Sequence, residues 1–208
     1  GTGTLTVDGS FAGKLDIAQG AIVCRRLAFR HYRFVVLRPW GSTANSMQFS
    51  EFKLLDGETD VTPLRSGLSY TGGAPDISDL QMPPTVVDGD LTTKYLDRRC
   101  AGNRYAENKG SVYIQLDYDA PRPITGYNWA TANDRPNNWG SDERDPADWL
   151  LMGSDDGEKW VTLDKRMNYY ATTVRKTWVG PFTLAGSMNV TSESADTSLT
   201  LDGVTFTG

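Results

Sequence analysis

The stretch Met47-Gln48-Phe49-Ser50-Glu51-Phe52-Lys53-Leu54 sets the fold class. Its apolar and polar residues alternate with period two, as in a strand with one face in a core and one in water. Upstream, Tyr32-Arg33-Phe34-Val35-Val36-Leu37 reads as a buried strand. Downstream, Ser111-Val112-Tyr113-Ile114-Gln115-Leu116-Asp117 alternates again, and shorter runs follow at 124–130, 149–153, 160–163 and 175–179. Turn residues cut these runs apart, and none sustains a 3.6-residue period. Many short strands with turns between them predict an all-β sandwich or jelly roll.

The chain has 208 residues, of which 38% are hydrophobic and 23% charged. That suits one generous all-β domain, or a domain of about 150 residues with appendages. No run approaches the roughly 20 apolar residues of a membrane helix, so no membrane insertion is expected. No basic segment followed by an apolar one opens the chain, so no leader is read there; the parent protein is expected to be longer. A net charge of −5 gives no basic surplus for a nucleic-acid backbone. The single histidine, His31, reads as a strand-entry residue and leaves little room for His-based catalysis or a zinc site. Cys24 and Cys100 either form one disulfide or remain two reduced core thiols; their spacing decides neither.

Both ends have a different texture. Leu5-Thr6-Val7-Asp8-Gly9 and Leu199-Thr200-Leu201-Asp202-Gly203 share one phrase, in flanks rich in Thr, Gly and Ser. Residues 1–30 and 183–208 are therefore expected to add β strands beside a central domain at 31–182. They resemble short β-repeats of large secreted bacterial proteins, and read equally as edge strands of the main domain.

Val86-Val87-Asp88-Gly89-Asp90-Leu91-Thr92-Thr93-Lys94-Tyr95-Leu96 gathers hard oxygen donors in a tight loop. Calcium takes six to eight such oxygens, main-chain carbonyls included. The spacing is not that of an EF-hand, and the same residues also make an ordinary Asp-Gly turn.

Four further phrases follow in order: Gly126-Tyr127-Asn128-Trp129-Ala130-Thr131-Ala132-Asn133-Asp134, Arg135-Pro136-Asn137-Asn138-Trp139, Arg144-Asp145-Pro146-Ala147-Asp148-Trp149 and Gly153-Ser154-Asp155-Asp156-Gly157-Glu158-Lys159-Trp160. With the acidic loop, their order resembles the discoidin or coagulation-factor C-type domain. This is the galactose-binding-like jelly roll that also houses family 32 carbohydrate-binding modules. The strand bearing Glu51 ordinarily closes that domain; here it comes first, so the domain looks circularly permuted. The resemblance implies one structural calcium held by Asp88, Asp90, Thr93 and Glu51 with the Val87 carbonyl. It also implies a glycan site on the loops at one end. There Trp139 or Trp40 would stack on a sugar, and Arg135, Asn137, Asn138 and Arg98 would bond its hydroxyls. Arg98 and Arg99 stand where the sugar binders often place a histidine, which an arginine replaces as donor but not as acceptor.

Trp129, Trp149, Trp160 and Trp178 are expected in the core. Arg144 with Asp145 reads as a turn-fixing ion pair, and Asp155-Asp156-Gly157 as a hairpin turn. No carboxylate sits in a segment apolar enough to raise its pKa, and no nucleophile motif is present, so no enzymatic activity is expected. The sequence reads as a non-catalytic carbohydrate-binding module of a larger extracellular or cell-surface bacterial protein. Its expected partners are a glycan or glycoconjugate and other modules of the parent chain. The alternative is a structural or adhesive spacer without a small ligand.

Overall fold

The computed structural model describes residues 13–18, 21–26, 28–63, 68–70, 81–100, 112–134 and 143–184. Thirteen strands appear among them: β1 Gly13–Ala18, β2 Ala21–Arg26, β3 Ala28–Pro39, β4 Met47–Phe49, β5 Glu51–Asp56, β6 Thr59–Asp60 and β7 Leu68–Tyr70. After a 3-10 helix at Pro83–Val87 come β8 Tyr95–Asp97, β9 Val112–Pro123, β10 Gly126–Ala130, β11 Pro146–Ser154, β12 Val161–Arg166 and β13 Trp178–Thr183. All pairings are antiparallel. One sheet runs β13-β10-β5-β6 and the other β12-β11-β3-β9-β7; β4 pairs with β8, and β1 with β2.

The result is an all-β, sandwich-like fold, as the alternating runs predict. Phe34 on β3 meets Phe52 on β5 and Tyr127 on β10, with ring centroids 4.9 and 6.2 Å apart. Trp149 on β11 packs edge-on against Trp129 and Phe182 of the other sheet. Its indole Nε1 donates to Tyr127 Oη at 2.7 Å, so a hydrogen bond spans the core within the aromatic packing. Tyr127 Oη in turn donates to Asp164 Oδ2. Burial pushes the Tyr127 phenol well above its usual pKa, which keeps it a donor.

Three expectations are corrected. The stretch from Met47 to Leu54 is two strands broken at Ser50, not one half-buried strand; β4 and β5 join different sheets and are buried almost throughout. Trp178 is 36% exposed on edge strand β13, with Lys53 Nζ 4.8 Å from its ring centroid, so it is a surface residue. Trp160 is half-buried outside the core; the Arg33 guanidinium lies between its ring and that of Tyr113, at 3.9 and 4.1 Å from the two centroids. Trp129 and Trp149 are fully buried, as expected.

The Ser154–Lys159 turn links antiparallel β11 and β12, with Gly157 at φ +73 and Asp156 Oδ1 accepting from the Glu158 and Lys159 N–H groups. Cys100 is a free, buried thiol whose Sγ approaches the Val36 carbonyl at 3.7 Å, and burial lifts its pKa to about 12. The Cys24 side chain and residues 183–208 beyond Leu184 lie outside the described residues, whereas β1 and β2 form a hairpin in the expected 1–30 flank.

Replacing Tyr127 by Phe strands Trp149 Nε1 in the core. The variant should lose about 1–3 kcal/mol of stability in urea denaturation. A midpoint equal to the wild type's would show that the bond adds nothing to stability.

Candidate functional site

Register brings the distant acidic segments together. Phe49 pairs with Tyr95 on the strand that follows the acidic loop, and Glu51 opens β5 two residues on. The 3-10 helix delivers Asp88 to the same place, and Gly89 makes the turn at φ +80, a conformation that favours glycine. Glu51 is 2% exposed, and its Oε1 accepts from the Gly89 and Asp90 N–H groups at 3.0 and 3.1 Å. Thr93 Oγ1 lies 2.9 Å from Asp88 Oδ2 and the same distance from the Asp90 carbonyl. Asp88 Oδ1 accepts from Asp90 N.

Asp90 itself is turned differently. Its Oδ1 accepts from Thr92 N and Oγ1 at 2.8 and 2.6 Å, on the solvent side. Its main chain, not its carboxylate, faces Glu51 and Thr93. Val87 closes the helix just before Asp88, half-buried against the core.

The Glu51 carboxyl is pushed up to about 8, first by burial and then by the adjacent Asp88 carboxylate, against the lowering effect of the two N–H donors. The sequence did not reveal this, because the apolar surroundings of Glu51 come from the packed strands, not from its chain neighbours alone. Among the described residues, neither Glu51 nor Asp88 meets a side-chain cation, and no group of three or more His, Cys, Asp and Glu gathers to hold a metal. Two carboxylates, a hydroxyl and main-chain oxygens form a hard-oxygen donor set. That chemistry suits calcium and not a transition metal.

Hydrogen bonds tie this loop to the rest of one rim. Asn133 Nδ2 donates to the Thr92 carbonyl. Lys94 Nζ, nearly buried, donates to Gln48 Oε1 at 3.0 Å and to Asp134 Oδ1 at 2.5 Å, and Arg144 Nη1 lies 3.6 Å from Asp134 Oδ2. The expected Arg144–Asp145 pair does not form. Asp145 is held bidentately by Arg175, with both contacts at 2.6 Å and both side chains buried.

Trp40 belongs to the same rim. Its N–H donates to the Asp145 carbonyl, and Gly41 N donates to the Glu143 carbonyl. The ring is 37% exposed and lies 4.9 Å from Tyr170, a residue the sequence reading passed over. Arg98 is exposed in the turn after β8, beside Arg99, whose guanidinium is held by the buried Asp97. Arg135, Asn137, Asn138 and Trp139 lie outside the described residues, whereas the flanking Asp134 and Glu143–Asp145 lie at this rim.

His31, on the outward side of β3, has its Nδ1 2.6 Å from Asp117 Oδ1, and Ser69 Oγ donates to Asp117 Oδ2 at 2.9 Å. Asp117 stands between them, so no imidazole faces the hydroxyl as a base would. No protein-family model, curated protein or solved structure matches this chain.

Burial works to raise the Asp134 pKa. Hydrogen bonds from Lys94 and Gln48, with the charges of Lys94 and Arg144, outweigh it and hold the carboxyl below its ordinary value. A depressed folded-state pKa stabilises above the unfolded value of about 4 and loses that stabilisation as pH falls through the folded value. Lys94→Met should therefore cost about 1–3 kcal/mol at pH 7, and the deficit should narrow as the pH drops below about 4. Denaturation curves across pH check both; a deficit constant with pH would remove the ion pair as its cause.

Proposed function

We propose that this chain is a non-catalytic carbohydrate-binding module of a larger extracellular or cell-surface protein, stiffened by one calcium ion. The carrying observation is the repulsive meeting of the buried Glu51 carboxyl with the carboxylate of exposed Asp88, without a side-chain cation among the described residues. A divalent ion would relieve that repulsion and join β5 to the 88–94 loop. Glu51, Asp88 and Thr93 would hold it with main-chain oxygens of Val87 and Asp90; the Asp90 carboxylate is the least directed of the expected ligands. Its chemistry is charge neutralisation and loop fixing.

The discoidin-like jelly-roll topology, circularly permuted, belongs to the same reading, supported by the antiparallel sandwich and by the strand order in which the Glu51 strand precedes the acidic loop. The glycan would sit on the rim that Trp40 shares with the bases of the neighbouring loops, with Arg98 and the 135–139 segment as further candidates. A shallow rim with a few stacked rings gives weak single-site affinity, so neighbouring modules would supply avidity. A structural spacer without a ligand is the competing reading.

Calcium at about a hundredfold excess over its dissociation constant should raise the melting temperature by about 5–10 °C, and Glu51→Gln should abolish the rise. Unchanged melting in calcium and after chelation would remove the ion from the proposal. A broad glycan array probed in calcium should return at least one sugar class; silence across it would favour the spacer.

A further inference from the structure

The β1–β2 hairpin belongs to neither sheet of the sandwich. Gly13–Ala18 pairs with Ala21–Arg26, and among the described residues neither strand pairs with a third. A lone two-stranded hairpin is at best marginally stable in water; stability takes three or more strands that share an apolar face. The register sets Leu15 opposite Cys24 and Ile17 opposite Ile22. Successive residues of a strand alternate between its faces, so these four fall on one face. Lys14 opposite Arg25, Asp16 opposite Val23 and Ala18 opposite Ala21 fall on the other. The hairpin is therefore amphipathic and short of a strand.

The sandwich brings the far end of the chain to the same place. Leu27 alone separates β2 from β3, and Ala28 opens β3 opposite Pro123. Two residues on, the Thr125 carbonyl accepts from Leu184 N at 2.9 Å, and Thr183 closes β13 opposite Gly126. Ala28 and Leu184 are thus less than about 20 Å apart. Residues 185–208 lie outside the described residues. From Leu184, the chain up to Leu199 can span as much as about 50 Å, more than twice the length of a strand such as β1.

The sequence of that segment matches the hairpin. Leu199-Thr200-Leu201-Asp202 and Val204-Thr205-Phe206 alternate apolar and polar residues on either side of Gly203. Residues 185–208 hold Glu193, Asp196 and Asp202 and no lysine or arginine, whereas the hairpin holds Lys14, Arg25 and Arg26 against the single Asp16. Opposite charges on neighbouring strands favour their pairing. Residues 1–12 hold only one charge, Asp8, and so offer less of this match.

We infer that residues 199–206 add to an edge of the β1–β2 hairpin. Leu199 and Leu201 continue the face of Leu15, Ile17, Ile22 and Cys24, and Asp202 falls on the side of Lys14 and Arg25. The two ends of the chain then make one small β unit, and the sandwich is an insertion between its halves. This assembly is independent of any ligand of the sandwich.

Hydrogen exchange of the full chain, read by mass spectrometry on peptides covering 13–26, 112–130 and 197–208, tests it. In the wild type, amides of 13–26 and 199–206 should exchange at least about tenfold more slowly than those of an unstructured chain. The double substitution Leu201→Asn, Val204→Asn keeps the charge. It should quicken exchange in 13–26 about tenfold and leave 112–130 unchanged, with the chain eluting as a monomer throughout. Exchange in 13–26 at the unstructured rate would overturn the inference, because the hairpin would then have gained no strand. Protection of 13–26 that the double variant retains would exclude residues 199–206 as its source. Protection that fades as a dimeric chain is diluted would assign the added strand to a second copy, and would equally overturn it.

Discussion

The contact on which the rest of the molecule depends is the seam where Trp149 and Phe34 of one sheet lock into Tyr127, Phe52 and Trp129 of the other. Aromatic area supplies the bulk of the driving force, but area alone is tolerant of sliding. The indole-to-phenol bond is not. It is directional, lies in a dry interior, and has one register in which donor and acceptor meet. Fixing the two sheets against each other also fixes which strand ends lie side by side, and hence which loops share a rim.

That rim is held chiefly by charge-assisted bonds. Arg175 with Asp145, Lys94 with Asp134, and Arg38 with Asp148 each join segments far apart in sequence. Long loops gain little from hydrophobic burial, so paired and hydrogen-bonded charges define their geometry. Glu51 is the exception. It sits among the same loops with only backbone donors and a second carboxylate for company, and its pKa rises accordingly. A group so placed binds either a proton or an external cation, which gives the proposed calcium a physical reason independent of any resemblance.

The outward side of the β3 sheet makes a useful contrast. Arg33, Gln115, His31, Asp117 and Ser69 lie there in a chain of mutual hydrogen bonds, with the guanidinium between two rings. Its polar groups are turned on one another. At the Trp40–Tyr170 corner the bonds run instead to the main chain and from Arg38 to Asn168 and Asp148.

The sequence by itself determined the all-β class, most strand positions, the Asp156-Gly157 turn and the burial of Trp129 and Trp149, because period-two alternation and turn chemistry are local properties. It also suggested that Glu51 and the 88–93 loop belong together, through the order of its motifs. Only the tertiary structure decided that Trp178 lies on an edge and that Trp160 flanks an arginine, because strand position within a sheet is not written in alternation. Arg175 replacing Arg144 as the partner of Asp145, and Tyr170 coming to Trp40, likewise depend on which loops the two sheets bring to one end. Partners separated by 30 or 130 residues are chosen by packing, and no local pattern encodes them.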